Sequence, residues 1–587
     1  MSNPDDYFLA TQQAADDALF VADRRDGITV TPLIDGIDTF RAMEQAIAGA
    51  RTTVHMAAWI LNPDVPLQAA PKVSATLAAR DFKKPVKTWG DLLATVAGLG
   101  AKVRILLTDY DPIIQAELHR MTWSSYQRLQ ASARARGGGN MEILPSLHLH
   151  EATSVRLTLA QVVLITKLRD KLNEAVTKFG LRVALSQVAL MPRLETFLRF
   201  DMPTRMFVAH DPPEGIRVVS HHQKICIVDR TTGFCGGLDV QTGRLDDKGR
   251  HKKGWHDTHC RVDGQLAADL DRNFIGRWNA ELTDFHEFIA ESSVPIAKNA
   301  DRVSPIAMPT AAVGAGTGTA RGQLLRTISV KQSDAELPLL RRDDVLKAYQ
   351  KAISLAEQFV YIENQYVRDE RLADWLIARA AAKPALVVIL VLPVAPEEIV
   401  NPPSDTDEGT KLGLFLQHTV VTKLIAGLGA RFGVYSLVQQ ETAAGKLKNH
   451  PTNFLGSPQV YVHSKTMIID DSWATIGSAN TNPRSFEVDT EANIHWVDPV
   501  SVKKLRIDLW RDLLGVQPNI DGWAPNEFLM RWNALAASNK TAAPAQRKGL
   551  VVPHDPENLK DAQVDSTRIR HQFAELGDVP ADNDALA

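Results

Sequence analysis

Two short segments of the chain combine residue types that can perform acid–base and electrostatic chemistry. In HHQKICIVDRTTGFCGGLD and HSKTMIIDDSWATIGSAN a lysine follows a histidine by two positions, an aspartate follows the lysine by five, and a Gly-Gly or Gly-Ser turn comes next. The residues are His222, Lys224 and Asp229 in the first segment and His463, Lys465 and Asp470 in the second. A single match of this kind is weak evidence, whereas two copies at equivalent places in a repeat indicate a common function.

The histidine and lysine of each segment are expected to face the same way, because residues two apart in a strand share a face. If two halves pack about a pseudo-twofold axis, the faces meet in one pocket with two imidazoles and two ammonium groups. Such a pocket suits a phosphodiester, since the lysines neutralise its non-bridging oxygens. One neutral histidine can attack phosphorus while the other, protonated, donates to the leaving oxygen. Water or an alcohol then resolves the phosphohistidine.

Further polar residues could support this chemistry. Imidazoles in these roles need an acid behind them, and Asp257 in GWHD and Glu491 in RSFEVDTEANI are the candidates. Asp229 and Asp470 stand at strand ends, where holding a turn is an alternative to a catalytic part. Small residues would let the backbone approach a phosphate. The predicted substrate-binding residues are Gly237, Asp239, Ser478, Asn480 and Gln365.

An internal repeat supplies the elements that position these residues. FRAMEQAIAGARTTVHMAAWI, from Phe40, has the same order as VLKAYQKAISLAEQFVYIENQYV, from Val345: an amphipathic helix and then a strand. A second helix and an apolar strand follow in both places, before the motif segment. Alternating helices and strands predict an α/β fold with two pseudo-twofold-related halves, each a mixed sheet flanked by helices.

Composition changes along the chain suggest the boundaries. The predicted first half is 1–300, with a helical insertion at about 113–200; the linker is 301–325, the second half 326–535, and a polar tail 536–587. Residues 154–200 of the insertion hold eight basic residues against three acidic. A helical layer packed on the sheet and a basic amphipathic surface for anionic lipid are both open interpretations.

Charge, hydropathy and cysteine usage argue against several classes of protein. The 66 basic and 69 acidic residues nearly balance, so no nucleic-acid partner is expected. We predict neither a secretory signal nor a membrane span, hence a soluble cytoplasmic or peripheral membrane protein, although export by a route without a signal stays open. The three cysteines do not form a disulfide framework. We expect no cofactor and no metal, because the lysines supply the positive charge and no zinc motif accompanies His251, His256 and His259.

The paired motifs resemble the signature of the phospholipase D superfamily, HxKxxxxD followed by GSxN. The second copy is complete, whereas the first departs from the pattern at Gly236, Gly237 and Asp239. GWHD, YIENQY and NPRSFEVDTE resemble the eukaryotic-type members. The resemblance covers about residues 30–535 and implies a phospholipase D fold with the site between two halves. It also implies that His222 is the nucleophile and His463 the general acid.

The leading hypothesis is a phospholipase D, which releases phosphatidic acid and a head-group alcohol and can transfer to other alcohols. A phosphatidyltransferase of the cardiolipin-synthase kind is an alternative, although such enzymes usually have amino-terminal spans. A nuclease is disfavoured by the balanced charge, and an inactive binding protein by the intact motifs. The expected partner is a phospholipid membrane surface, and both motifs in one chain predict a monomer.

Overall fold

The computed structural model describes residues 3–10, 22–150, 155–209, 216–246, 254–314, 316–330, 339–394, 408–445, 453–515 and 519–556. His251 and part of the predicted tail lie outside these ranges. The strands are β1 (Arg25–Ile28), β2 (Val30–Ile34), β3 (Thr53–Ala58), β4 (Lys102–Thr108), β5 (Met141–Ser146), β6 (Leu198–Asp201), β7 (Met206–Ala209), β8 (Ile225–Val228), β9 (Thr232–Gly236), β10 (Trp255–His256), β11 (Thr258–Asp263), β12 (Ala320–Val330), β13 (Leu339–Asp343), β14 (Phe359–Asn364), β15 (Val387–Val391), β16 (Phe432–Val438), β17 (Asn453–Phe454), β18 (Ser457–Val462), β19 (Lys465–Ile469), β20 (Trp473–Gly477), β21 (Glu491–Val497) and β22 (Val551–Pro553).

The helices are α1 (Asp35–Gly49), α2 (Ala70–Ala78), α3 (Trp89–Gly98), α4 (Ala116–Arg136), α5 (Val155–Phe179), α6 (Leu181–Val188), α7 (Gln265–Glu291), α8 (Pro295–Lys298), α9 (Asp344–Leu355), α10 (Glu370–Ala382), α11 (Glu408–Leu428), α12 (Pro483–Glu487), α13 (Pro499–Leu514) and α14 (Pro525–Thr541). None of the helices within the described ranges is long and apolar enough to pass through a bilayer.

Two mixed sheets repeat one strand order, which confirms the predicted α/β fold of two similar halves. The first sheet runs β2-β11-β9-β8-β3-β4-β5, and the second contains β12-β21-β20-β19-β14-β15-β16. In each sheet three neighbouring strands are parallel, β3-β4-β5 and β14-β15-β16, and the motif strand is antiparallel to the first of them. The parallel strands are almost wholly buried, as expected when helices cover both faces of a sheet.

The two sheets pack against each other through β9 and β11 on one side and β20 and β21 on the other. Side chains join them at this contact. Thr258 Oγ1 lies 2.7 Å from Thr466 Oγ1, and the Cys235 thiol donates to the Ala492 carbonyl at 3.3 Å. The motif strands β8 and β19, which neighbour β9 and β20, therefore lie beside this buried interface.

The ends of the chain differ from the predicted domain boundaries. Tyr7 and Phe8 are buried in the core of the second half, where Tyr7 stacks on Trp473, and β1 pairs with β12. Because β12 begins at Ala320, the linker is shorter than predicted. At the other end α14 buries Trp532 and continues to Thr541, and β22 pairs with β16, so the chain stays ordered beyond residue 536. Both differences have one cause: the few apolar side chains in these polar segments are buried, and their burial was not expected from the polar composition.

The helical insertion also begins later than the predicted position near residue 113. Helix α4 and strand β5 belong to the repeat, because β5 pairs in parallel with β4 as β16 does with β15. The extra material is α5, α6 and the β6-β7 hairpin, which share a core of their own with Ile113 and Ile216. Long apolar helices follow one another there, and their sequence alone does not show which of them belongs to the sheet layers.

Candidate active site

Both motif aspartates anchor turns at the end of the motif strand far from the histidine. Asp229 has φ 51° and accepts hydrogen bonds from the backbone N–H groups of residues 51–53 at 2.7–3.0 Å. Asp470 has φ 53° and accepts from those of residues 357–359 at 2.6–2.8 Å. Each carboxylate thus ties the motif strand to the strand beside it. This geometry corrects the catalytic part predicted for Asp229 and Asp470 and supports the alternative of a turn.

His463 is held by an acid from the other half of the chain. Its Nδ1 lies 2.7 Å from Oδ2 of Asp257, whose other oxygen accepts the Thr258 N–H at 2.8 Å. Burial raises the pKa of Asp257 to about 7. Burial, together with the positive charges of Lys465 and Arg244, holds the pKa of His463 well below its usual value of 6.5. His463 is therefore a neutral imidazole at neutral pH.

His222 has the reciprocal arrangement. Its Nδ1 lies 2.8 Å from Oε1 of Glu491, and both carboxylate oxygens of Glu491 also accept hydroxyl hydrogen bonds, from Ser485 and Ser478. Burial alone would raise the pKa of Glu491, but the charges of His222 and Lys224 outweigh it and the pKa lies below its usual value. The Glu491 carboxylate therefore holds the His222 ring in place through Nδ1.

Backbone hydrogen bonds place each histidine beside the acid that follows the other motif. The His463 N–H donates to the His256 carbonyl at 2.8 Å, and the His222 N–H donates to the Thr490 carbonyl at 2.9 Å. In each case the acceptor directly precedes the acid that holds the same histidine. Sequence reasoning selected Asp257 and Glu491 as candidates, yet it had no means to show that each acid serves the opposite motif.

Both histidines lie just before their strands, because β8 begins at Ile225 and β19 at Lys465. Each motif lysine nevertheless turns back to its histidine. Lys224 Nζ donates to the His222 carbonyl at 3.1 Å, and Lys465 Nζ donates to the His463 carbonyl at 2.6 Å. Burial and the charge of Lys224 lower the pKa of Lys465 to about 7. The two ammonium groups and the two imidazoles lie close together, since the charges of Lys465, Lys224 and His222 all act on His463 and both histidines line one cleft.

The predicted substrate-binding residues fall into two groups. Gln365 and Asn480 line the cleft of both histidines, and the Gln365 amide oxygen accepts from Lys465 Nζ at 2.9 Å. Ser478 instead donates to Glu491, and Asp239 lies 3.5 Å from Lys224 Nζ.

Gly237 leaves space for one of the supporting acids. A Cβ at this position would lie 2.2 Å from Asp257 Oδ1, so the missing side chain makes room for that carboxylate.

Aromatic residues flank the two histidines. Trp59 stands edge-on to His222, with ring centroids 5.7 Å apart, and its ring lies 5.3 Å from Lys224 Nζ. Trp255 of GWHD packs against His463 at 4.9 Å. Trp59 and Gln365 occupy equivalent positions in the repeat, and that equivalence was the available signal for Trp59.

A second set of buried charges, missed from the sequence, lies behind His463. His256 Nδ1 is 2.9 Å from Asp35 Oδ1, and its Nε2 is 3.1 Å from Glu363 Oε2. Burial opposes a charge there, but the carboxylates of Glu363 and Asp35 raise the pKa of His256 well above its usual value. Asp35 also accepts the Asp257 N–H at 3.0 Å. A charged His256 thus links the two halves directly behind the acid that holds His463.

The cleft above the histidines is lined by aromatic and polar side chains from both halves. They include Trp59, Tyr110, Tyr366, Asn482 and Arg484. Arg484 is engaged by Asp489, whose carboxylate it contacts through two nitrogens at 2.7 and 2.8 Å. A mouth with aromatic walls above two lysines and two histidines suits an anionic group on an apolar carrier.

Two family models match the chain. One, described as phospholipase D, matches residues 247–392, and the other, described as the cardiolipin synthase, PLD-like domain, matches residues 349–513. The curated relatives reported below are phospholipases D. The chain belongs to the phospholipase D superfamily.

The relatives of this superfamily member are longer than the chain itself. Phospholipase D A of Dictyostelium discoideum is 24% identical over 578 residues, which cover 85% of this chain and 36% of that protein. Phospholipase D beta 2 of Arabidopsis thaliana is 27% identical over 371 residues, 46% of this chain and 39% of the relative. The chain thus spans well under half the length of these two relatives.

A phosphatidylserine synthase from Haemophilus influenzae Rd KW20 is among the solved structures similar to this superfamily member. It has a TM-score of 0.47 and 12% identity, with 94% of each chain covered.

Proposed function

We propose that this phospholipase D superfamily member is a phosphodiesterase that cleaves the distal phosphodiester bond of glycerophospholipids. The products are phosphatidic acid and the free head-group alcohol. The observation that carries the proposal is the pair of crossed histidine–acid contacts, His222 with Glu491 and His463 with Asp257, which place two activated imidazoles on one cleft. Membership of the superfamily and the similarity to phospholipases D supply the substrate class.

The reaction has two steps in this proposal. His222 Nε2 attacks phosphorus, the bond from phosphorus to the head-group oxygen breaks, and that oxygen takes a proton from His463 Nε2. His463 then removes a proton from water, the water oxygen bonds to phosphorus, and the bond to His222 breaks. In both histidines Nδ1 is engaged by the acid, so Nε2 is the ring nitrogen left for the substrate.

His463 must gain a proton before the first step, although its pKa lies well below the usual value. A bound phosphodiester brings a negative charge next to Lys465 and Lys224. That charge offsets the repulsion from the lysines and raises the pKa of His463 toward the value that a general acid needs. The same lysines stabilise the charge that develops on the non-bridging oxygens.

An alcohol can replace water in the second step, and the product is then a new phosphatidyl ester. The match of residues 349–513 to the cardiolipin synthase, PLD-like domain favours transfer as the second candidate function. Hydrolysis and transfer share the first step and differ only in the acceptor that reaches the phosphohistidine.

One assay tests the proposal. The protein is incubated with vesicles of mixed phospholipids, with and without ethanol, and the lipids are analysed by mass spectrometry. We expect phosphatidic acid without ethanol, phosphatidylethanol with it, and unchanged yields in the presence of a chelator. The variants His222→Ala and His463→Ala should form neither product. Equal yields from these variants and the unaltered protein would contradict the proposal.

A further inference from the structure

The helical insertion carries most of the large apolar side chains that the described part of the chain exposes. Seven of the ten lie between residues 162 and 206. They are Val162, Val163, Phe179, Val183, Leu185, Met202 and Met206. Single exposed apolar residues are ordinary, but their concentration in one insertion indicates an interaction surface.

The corner between α5 and α6 combines this apolar surface with positive charge. Helix α5 ends at Phe179, Gly180 turns the chain with φ 86°, and α6 begins one residue later. Phe179 is 61% exposed and Val183 is 41% exposed. Lys178 and Arg182 are exposed beside them, and no aspartate or glutamate occurs from residue 175 to 194. We name Lys178, Phe179, Arg182 and Val183 the basic corner.

These residue types match the boundary layer of an anionic phospholipid bilayer. Aromatic and aliphatic side chains at a helix corner enter the region between head groups and acyl chains, while lysine and arginine contact lipid phosphates. Each basic residue near an anionic surface adds to the attraction, which falls with salt. A second copy of this chain would be a poor occupant, because two basic corners repel each other.

The buried side of the insertion connects the basic corner to the cleft. Ile165 and Leu172 of α5 and Ala184 of α6 share an apolar cluster with Ile113 and Ile216. The neighbouring side chains Ile114 and Val218 pack on that cluster and also line the cleft of the two histidines. The insertion that carries the basic corner therefore packs directly on the wall of the site.

We propose that the basic corner docks this protein on anionic phospholipid bilayers. The proposal rests on the proposed function, because a phospholipid bilayer would hold the substrate of the enzyme as well as the enzyme itself. Binding itself depends on the corner alone and does not require catalysis.

Co-sedimentation with phosphatidylcholine vesicles, with and without phosphatidylglycerol, tests the docking. Two double variants change the corner: Phe179→Ser with Val183→Ser removes the apolar part, and Lys178→Glu with Arg182→Glu reverses the charge. The control is Val500→Ser with Lys503→Glu, because Val500 is 79% exposed and Lys503 is exposed on the same distant helix. Thermal unfolding of each variant confirms that it is folded.

We expect the unaltered protein and the control to bind vesicles that contain phosphatidylglycerol, and to bind less at high salt. Each corner variant should bind at least about tenfold more weakly. Equal binding by the corner variants and the control would overturn the proposal. So would a dimer that the corner variants dissociate, in the absence of vesicle binding, because the corner would then be a protein contact.

Hydrolysis of a short-chain phospholipid below its critical micelle concentration separates docking from chemistry. The corner variants should retain this turnover and lose activity on vesicles. If the unaltered protein hydrolyses neither form, the proposed function fails, while the sedimentation result still decides the docking. Parallel losses on monomeric lipid and on vesicles would assign the corner to the site and contradict a docking role.

Discussion

Asp257 Oδ2 lies 2.7 Å from His463 Nδ1, although 206 positions and the whole boundary between the halves separate the two residues. Glu491 and His222 show the same relationship over 269 positions. Neither half therefore contains both a motif histidine and the acid that holds it. The site exists only where the two halves meet, which gives the duplicated motif a physical reason to stay in one chain.

Removing the charge of either acid should disable the histidine of the opposite half. We expect Asp257→Asn and Glu491→Gln each to lower kcat roughly 10²–10⁴-fold, because the imidazole loses both its orientation and the stabilisation of its charged form. Steady-state hydrolysis of a soluble phosphodiester measures the effect. The control is Asp263→Asn, at the far end of strand β11, which begins directly after Asp257. It should have nearly full activity. Unimpaired turnover in either acid variant would remove the crossed pairs from the mechanism.

The lysine cluster predicts a loss of activity at alkaline pH. The pKa of Lys465 is lowered to about 7 by burial and by Lys224, so above that value the free enzyme loses the charge that binds phosphate. We expect kcat/KM to fall with rising pH, by a further factor of about ten per pH unit above 7 from this group. In Lys465→Arg the guanidinium stays charged, so the decline should be shallower by that factor. Identical slopes for the two proteins would refute this assignment.

Gly237 should be intolerant of a methyl group for a steric reason. An alanine Cβ would lie 2.2 Å from Asp257 Oδ1 and would push the carboxylate away from His463. We expect Gly237→Ala to reduce kcat at least about tenfold, as a misplaced catalytic group does. Gly243→Ala is the matched control, since nothing lies within 4 Å of its added Cβ. A Gly237→Ala enzyme as active as the control would show that the carboxylate does not need this space.

The turn aspartates should matter for stability and little for chemistry. Asp470→Ala removes the acceptor of three backbone N–H groups, which should lower the free energy of unfolding by about 2 kcal/mol. Asp470→Asn keeps one acceptor oxygen and tolerates the left-handed backbone, so its loss should be smaller. Urea unfolding gives both values. The kcat of the folded alanine variant should remain within a few-fold of normal; a loss like that of His463→Ala would restore a catalytic part to Asp470.

The sequence was sufficient for the repeat, the motif residues and the two supporting acids, because each depends on local periodicity or on a short motif. The period of helices and strands from Phe40 and from Val345 indicated the two α/β halves. The crossing of Asp257 and Glu491 was out of reach, because it depends on how two surfaces pack. Spacing along the chain carries no information about that packing.

Buried ionic contacts were equally hidden. His256 was considered as a weak zinc candidate, whereas its ring is held between Glu363 and Asp35 from separate elements. The burial of Tyr7 and Phe8 in the second half was missed for a related reason: two adjacent aromatic residues in an acidic segment give no periodic signal. The positions of Asp229 and Asp470 could be inferred, since an aspartate after an apolar strand commonly holds a turn.

Trapping the covalent intermediate tests the central claim, that two histidines from opposite halves act on one phosphorus atom. A phosphatidyl ester of p-nitrophenol needs no general acid for its first step, so His463→Asn should form the adduct but resolve it slowly. Peptide mass spectrometry after a denaturing quench should find a phosphatidyl group on His222, and the double variant His222→Ala with His463→Asn should have none. An adduct that persists in the double variant, or one found only on His463 in His222→Asn, would contradict the account.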